Sequence, residues 1–253
     1  MGRTVIITGT NRGIGNAILR RFAREEDVFI LAHARKASEK FDDELKAIKN
    51  RADTTVRIEP FYCDLADKEE IKTAFTNLLK QHKKVDVLVN NAGVVMPSKS
   101  FLMMDENTLR TSFEINFFAQ VQITQMVCRA MIRNKGGAII NMASVAAFSG
   151  VEGQFEYTAS KAAIVGMTRR LSNELAPYHI RVNAVAPGMI NTDMIMQMDD
   201  QMRTDLLTRV IAHRLGEPDE IASTVYFLAS NEASFINGQS LLVNGGGIAF
   251  DLL

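Results

Sequence analysis

Short β-branched and aliphatic runs alternate along this chain with longer stretches whose apolar positions recur every three to four residues. Residues 4–8 read as a first strand and 14–24 as the helix after it. Residues 28–34 are a second strand, followed by a charged helix over 39–51. Residues 56–63 read as a third strand, weakened by Pro60. A helix over 68–82, a strand over 85–90 and a long helical stretch over 106–133 follow. The pattern then gives a strand over 138–143 and a helix over 154–175 that Pro177 ends. A strand over 180–186, a helix over 219–229 and a short strand over 240–243 complete it. Strands alternating with helices imply βαβ units, right-handed crossovers and a parallel sheet. The expected fold is α/β: a doubly wound sheet of about seven strands with helices on both faces. With no repeat or linker, residues 1–253 read as one domain. Residues 188–216 escape the alternation and carry Met189, Met194, Met196, Met198 and Met202. Such an insertion often covers a site; these methionines suit either a soft substrate lid or helix core.

Composition narrows the function classes. Hydrophobic residues make up 47% of 253, enough for a large core. The formal net charge is zero, so the basic stripe expected of a nucleic-acid binder is missing. Cys63 and Cys128 lie far apart in apolar settings, which fits a reducing compartment and neither a disulfide framework nor a metal site. The amino terminus runs straight into a strand pattern without an apolar leader, so no signal peptide is expected. No run of 18 apolar residues exists, so no membrane span is expected and the default location is cytoplasmic.

The candidate chemistry starts at Thr8-Gly9-Thr10-Asn11-Arg12-Gly13-Ile14-Gly15, directly after the first strand. Glycines there let the backbone turn tightly and approach a pyrophosphate at a helix N-terminus; a ligand-free turn is the plain alternative. At the end of the second strand an NAD site usually places an acid for the ribose hydroxyls. This chain has Ala32-His33-Ala34-Arg35-Lys36 instead. Arg35, with Arg12 as a second candidate, can pair with a 2′-phosphate, which predicts NADP(H) over NAD(H); solvated loop charges are the alternative. Asp64 could accept from an adenine amino group or cap a helix. Asn90-Asn91-Ala92-Gly93 ends the fourth strand, at the edge where ligands bind in open α/β sheets. Tyr157 and Lys161 stand four apart and share a helix face. An ammonium beside a phenol lowers the phenol's pKa from about 10 toward the range a general acid/base needs. Taken alone, such a pair is most often a solvated helix face.

Together these segments resemble the short-chain dehydrogenase/reductase family, in order and at family spacing, from Thr4 to Gly246. Arg214-Leu215-Gly216-Glu217-Pro218, Gly153-Gln154 and the ending from Ile236 to Gly246 are most similar to 3-oxoacyl-acyl-carrier-protein reductases. The resemblance implies a Rossmann-type fold and hydride transfer between NADP(H) and a carbonyl or secondary alcohol, here a 3-oxoacyl thioester. A sugar, polyol or other small alcohol is the alternative substrate, and a non-catalytic NADP(H) sensor the remote one. It implies that Tyr157 is the acid/base, that Lys161 lowers its pKa, that Ser144 holds the carbonyl oxygen and that Asn116 supports a proton-relay water. Without the resemblance, Ser144 would be a cap or turn residue and Asn116 a tolerated polar one. Cofactor contacts are implied at Gly9, Asn11, Arg12, Gly13, Ile14, Gly15, Arg35, Asp64, Leu65, Asn91, Ala92 and Gly93. They are also implied at Tyr157, Lys161, Pro187, Gly188, Ile190 and Thr192; Gln154 would join Ser144 and Tyr157 at the substrate. A homotetramer packed through the helices over 106–133 and 154–175 and through the apolar carboxyl end is implied as well. One departure touches the partner: where related reductases often carry a basic residue after the tyrosine helix, this chain has Tyr178-His179. Acyl carrier protein is acidic and calls for cations near the site, for which Arg133 and Lys135 are the candidates.

Overall fold

The computed structural model describes residues 2–150, 152–196, 207–208 and 210–246. Seven strands form one sheet in the order β3-β2-β1-β4-β5-β6-β7. They are β1 (Arg3–Ile7), β2 (Val28–Ala34), β3 (Arg57–Tyr62), β4 (Val87–Asn90), β5 (Gly137–Met142), β6 (Ile180–Pro187) and β7 (Ser240–Val243). Every neighbouring pair is parallel. Strand order reverses between β1 and β4, and the carboxyl ends of strands at such a switch point open a crevice.

Both faces of the sheet are covered, as a parallel sheet requires. Alternate side chains of β1 show how. Val5 and Ile7 join a core with α1 (Gly13–Phe22), α2 (Glu39–Arg51) and the helix Pro218–Ala229. Ile6 points the other way, into a core with α3 (Lys68–Gln81) and α5 (Ala119–Arg133). Pro60 pairs with Ala32 in β3, an edge strand, where sheets tolerate proline.

Element ends differ from the sequence expectation by a residue or two, except along the long helix. There α4 (Glu106–Phe113) passes into a π-helical turn, Glu114–Phe118, before α5 begins. α6 (Phe155–Leu175) closes with a 3-10 turn, Ala176–Tyr178, that carries Pro177. Of the irregular 188–216 segment, Ile190 bridges Gly216 and Asp193–Met196 form one helical turn. Met198, Met202 and the apolar carboxyl end lie outside the described residues, and the side chains of Met194 and Met196 with them. Arg214 makes a bidentate pair with Glu220 (2.8 and 2.7 Å), whose carboxylate also accepts from the Glu217 amide at 2.7 Å. The Arg214–Pro218 motif thus fastens the segment to the start of the last helix.

Candidate active site

The glycine loop is laced to the end of β4. Thr8 Oγ1 accepts from the amides of Asn91 (2.9 Å) and Ala92 (3.0 Å) and donates to the Val89 carbonyl (3.3 Å). Asn91 Nδ2 donates back to the carbonyls of Thr8 (2.9 Å) and Gly9 (3.1 Å). At Gly15 a Cβ would lie 1.9 Å from the Gly9 oxygen, so no other residue fits there. Gly13 has φ +55°, and a Cβ on it would sit 3.6 Å from Thr192 Cγ2. This brings Thr192 against the loop, while Pro187 ends β6 and Gly188 packs on Asn244 of the strand end beside it. The Ile190 side chain belongs to the core. Leu65 is likewise buried in the core.

Arg12 and Arg35 both stand exposed at this end, as does Asn11, while Ile14 is partly covered. Asp64 is not the helix cap: Asp67 caps α3, accepting from the amides of Glu69 (2.8 Å) and Glu70 (3.1 Å). Asp64 forms the turn before it, accepting from the Ala66 amide at 2.9 Å. The close backbone at Gly9, Gly13 and Gly15, beside two exposed guanidinium groups, fits a dinucleotide phosphate.

The second half of the crevice is built from buried polar side chains. Asn116 is completely buried in the π-helical turn. Its Oδ1 accepts from the Val94 amide (2.8 Å), and its Nδ2 donates to the Val94 carbonyl (2.9 Å), Ser112 Oγ (3.2 Å) and Ser160 Oγ (3.2 Å). Lys161 is buried, and Nζ donates to the Met142 carbonyl at 2.7 Å. A Cβ on Gly93 would come within 3.1 Å of Asn116 Oδ1 and 3.4 Å of Lys161 Nζ, so all three meet at one point. Ser144 is buried, heads the 3-10 turn Val145–Ala147 and accepts from the Ala146 amide at 3.2 Å. Gln154 precedes the first turn of α6, and its carbonyl accepts from the Thr158 amide at 2.9 Å.

Burial, rather than attraction, dominates the charges here. It pulls the Lys161 ammonium down to about 8. It also holds the Tyr157 phenol above its ordinary value, while the Ser144 hydroxyl works the other way by favouring phenolate. The lowering of Tyr157 by Lys161 expected from the spacing is therefore not what this geometry produces. Removing water from phenolate outweighs its hydrogen bond, and the ammonium, 5.8 Å from the ring centroid, is directed at the Met142 carbonyl.

Beneath these groups runs a buried polar ladder that the sequence pattern does not announce. Asn90 Nδ2 donates to Thr124 Oγ1 and Asn141 Oδ1, both at 2.9 Å, and Asn141 Nδ2 donates to Thr168 Oγ1 at 3.0 Å. Asn90 and Asn141 are register partners on β4 and β5; the threonines come from α5 and α6. Their one signal is an asparagine in each of two strands that otherwise hold no polar side chain.

Comparison with known proteins fits this arrangement. The family profile described as Enoyl-(Acyl carrier protein) reductase matches residues 9–247. The chain belongs to the short-chain dehydrogenase/reductase family. It is 35% identical to the 3-oxoacyl-[acyl-carrier-protein] reductase FabG of Thermotoga maritima, over 97% of both chains. Among solved structures, 7α-hydroxysteroid dehydrogenase complexed with NADH and 7-oxo glycochenodeoxycholic acid superposes with a TM-score of 0.90 at 31% identity, covering 98% of this chain and 95% of the other. L-sorbose reductase of Gluconobacter frateurii, complexed with NADPH and L-sorbose, gives 0.89 at 26%, covering 98% and 97%. This member is thus an NAD(P)-dependent oxidoreductase with the seven-stranded Rossmann-type sheet of the family. Among the described residues, no helix is long and apolar enough to cross a membrane.

Proposed function

We propose that this short-chain dehydrogenase/reductase is an NADP(H)-dependent carbonyl reductase acting on 3-oxoacyl thioesters carried by acyl carrier protein. The observation that carries the reading is the convergence of Asn116, Lys161 and Gly93 at one point, with Ser144 acting on the Tyr157 phenol beside them. NADPH, when bound, supplies the hydride. The residues supply the rest. Ser144 donates to the carbonyl oxygen, where negative charge grows. Tyr157 keeps its proton near neutral pH and delivers it to that oxygen, and the Ser144 hydroxyl, which favours phenolate, offsets part of what burial costs it as an acid. Lys161 places its charge at the same end of the crevice and serves the nicotinamide ribose. Asn116, fixed by the Val94 backbone, positions the water that returns the proton.

Several features support the finer claims. Arg12 and Arg35 stand exposed and β2 ends without an acid, which suits a 2′-phosphate. The loop after β4 is tied to the loop before Tyr157 by the Lys99 amide and Ser98 hydroxyl, both donating to the Gly153 carbonyl at 3.0 and 3.1 Å. Phe101 and Phe155 then stack edge-to-face at 4.9 Å and give that rim an apolar wall for an acyl chain. Exposed Phe118 and Phe155, on the two helices of the expected tetramer contact, favour burial against a second copy. Two free, buried cysteines suit the cytoplasm.

The sugar and polyol reading keeps its place because L-sorbose reductase superposes as well as the steroid enzyme does. NADPH oxidation with an acetoacetyl thioester, run for wild type and Tyr157→Phe, separates them. Turnover lost in the variant upholds the thioester reading. Binding of NADPH without thioester turnover moves the substrate to sugars, polyols and small ketones.

A further inference from the structure

His33 is the penultimate residue of β2, and at 2% exposed it takes no part in the exposed cationic rim that follows. Its ring nevertheless joins three strand ends. Nδ1 lies 3.1 Å from the Gly9 amide, and Nε2 lies 3.0 Å from the Cys63 carbonyl. An amide can only donate and a carbonyl can only accept, so the partners define the tautomer: Nδ1 is the bare acceptor and Nε2 carries the proton. The His33 carbonyl meanwhile accepts from the Thr10 amide (2.8 Å) and the Thr10 hydroxyl (2.9 Å). The ring also leans on Phe61, 5.3 Å away. Gly9, where φ is +72°, is the first bend of the glycine loop, and Cys63 is followed by Asp64.

We propose that His33, as the neutral Nε2–H tautomer, is a positioning residue that locks the first bend of the glycine loop to the ends of β2 and β3 and so pre-forms the cradle for the adenosine end of the dinucleotide. It does not touch the cofactor. Its effect runs through Gly9: with that bend fixed, the loop loses little freedom when a pyrophosphate settles on it, and preorganisation of this kind tightens binding. Burial disfavours the imidazolium, which could not accept from Gly9, and keeps the ring in the form the lock needs. The inference rests on the dinucleotide reading of the crevice.

Three variants dissect the ring. In His33→Asn the side-chain oxygen stands near the place of Nδ1 and keeps the Gly9 bond. In His33→Gln the side-chain amide reaches the place of Nε2 and keeps only the Cys63 bond. His33→Leu keeps neither. Two readouts are taken: Kd for NADPH by fluorescence titration, with KM and kcat, and amide hydrogen exchange over residues 8–10 in the cofactor-free protein. The lock predicts that Kd and KM rise about tenfold in the Leu and Gln variants and stay near wild type in the Asn variant. Loop exchange should quicken in the same two, with kcat at saturating NADPH unchanged in all three. Should the Leu variant fail to fold, the contrast between Asn and Gln decides. Equal behaviour of Asn and Gln, or a fall in kcat with KM unmoved, overturns the lock. A wild type that binds neither NADPH nor NADH instead removes the dinucleotide reading, and the lock's purpose with it.

Discussion

The nucleotide half of the crevice and the catalytic half hold their shape by different means. Around the glycine loop neutral side chains pin a closely packed backbone, through Thr8, Asn91, His33 and the Gly9–Gly15 approach, while the charges of Arg12 and Arg35 stay in water. Around Tyr157, itself only partly covered, Asn116 and Ser144 are buried, and the Lys161 charge is buried with them. Cations left in water are not desolvated and cost folding little. A buried cation must be held against its desolvation, and Lys161 has one carbonyl partner to help. Binding can therefore be tuned at the first half with small effects on stability, whereas the second half trades stability for chemistry.

The hardest test of that contrast is Tyr157→Phe. On the proposed reading it cuts kcat by about a thousandfold, because proton transfer is removed, and changes NADPH affinity far less; steady-state kinetics with a binding titration checks both. Next is Gly15→Ala. A Cβ placed 1.9 Å from a backbone oxygen forces the loop apart, at about 3 kcal/mol of stability and with loss of cofactor binding. Denaturant melts and the same titration would read the two effects.

Lys161→Met separates stability from activity. With the folded pKa lowered to about 8 against an ordinary 10.5, the unfolded chain binds the extra proton between those values. The burial penalty is thus fully present below pH 8 and fades as pH climbs toward 10.5. The variant should be more stable than wild type by up to about 3 kcal/mol at neutral pH, less whatever the Met142 bond contributes. That advantage should shrink with rising pH while turnover is lost. Melting both proteins from pH 7 to 10 would expose a flat difference if the penalty lies elsewhere. The smallest effect belongs to the nucleotide half: Arg35→Ser should raise KM for NADPH about tenfold and leave NADH alone. An equal change for both cofactors would detach Arg35 from the 2′-phosphate.

Legibility in the sequence follows the same division. Strands and helices were readable because β-branched runs and 3.6-residue periodicity report burial directly, as at Ile6 between Val5 and Ile7. The order of Gly9, Gly93, Asn116, Ser144, Tyr157 and Lys161 was readable because motif spacing survives without coordinates. Partnerships between distant polar residues were not. Nothing local in Cys63-Asp64 says that the Cys63 carbonyl accepts a hydrogen bond from His33, thirty positions earlier. Asp67 outcompetes Asp64 as the cap because the helix begins one residue after it, a detail of a single turn. The Tyr157 shift went the other way from expectation because spacing reveals a neighbouring charge but not the water removed.

The π-helical turn under Asn116 carries one more residue than a regular helix would hold over the same rise. Shortening Glu114–Phe118 by a single residue would let the helix heal into uniform α-geometry, an easy repair for the backbone. It would also turn everything on one side of the cut by about 100° relative to the other. Either Asn116 would swing away from Val94, or the apolar stripe of α5 would leave the sheet. The irregularity therefore acts as a phase adjuster: it lets one long helix satisfy two incompatible rotational demands, a polar contact at its middle and a hydrophobic seam along its second half.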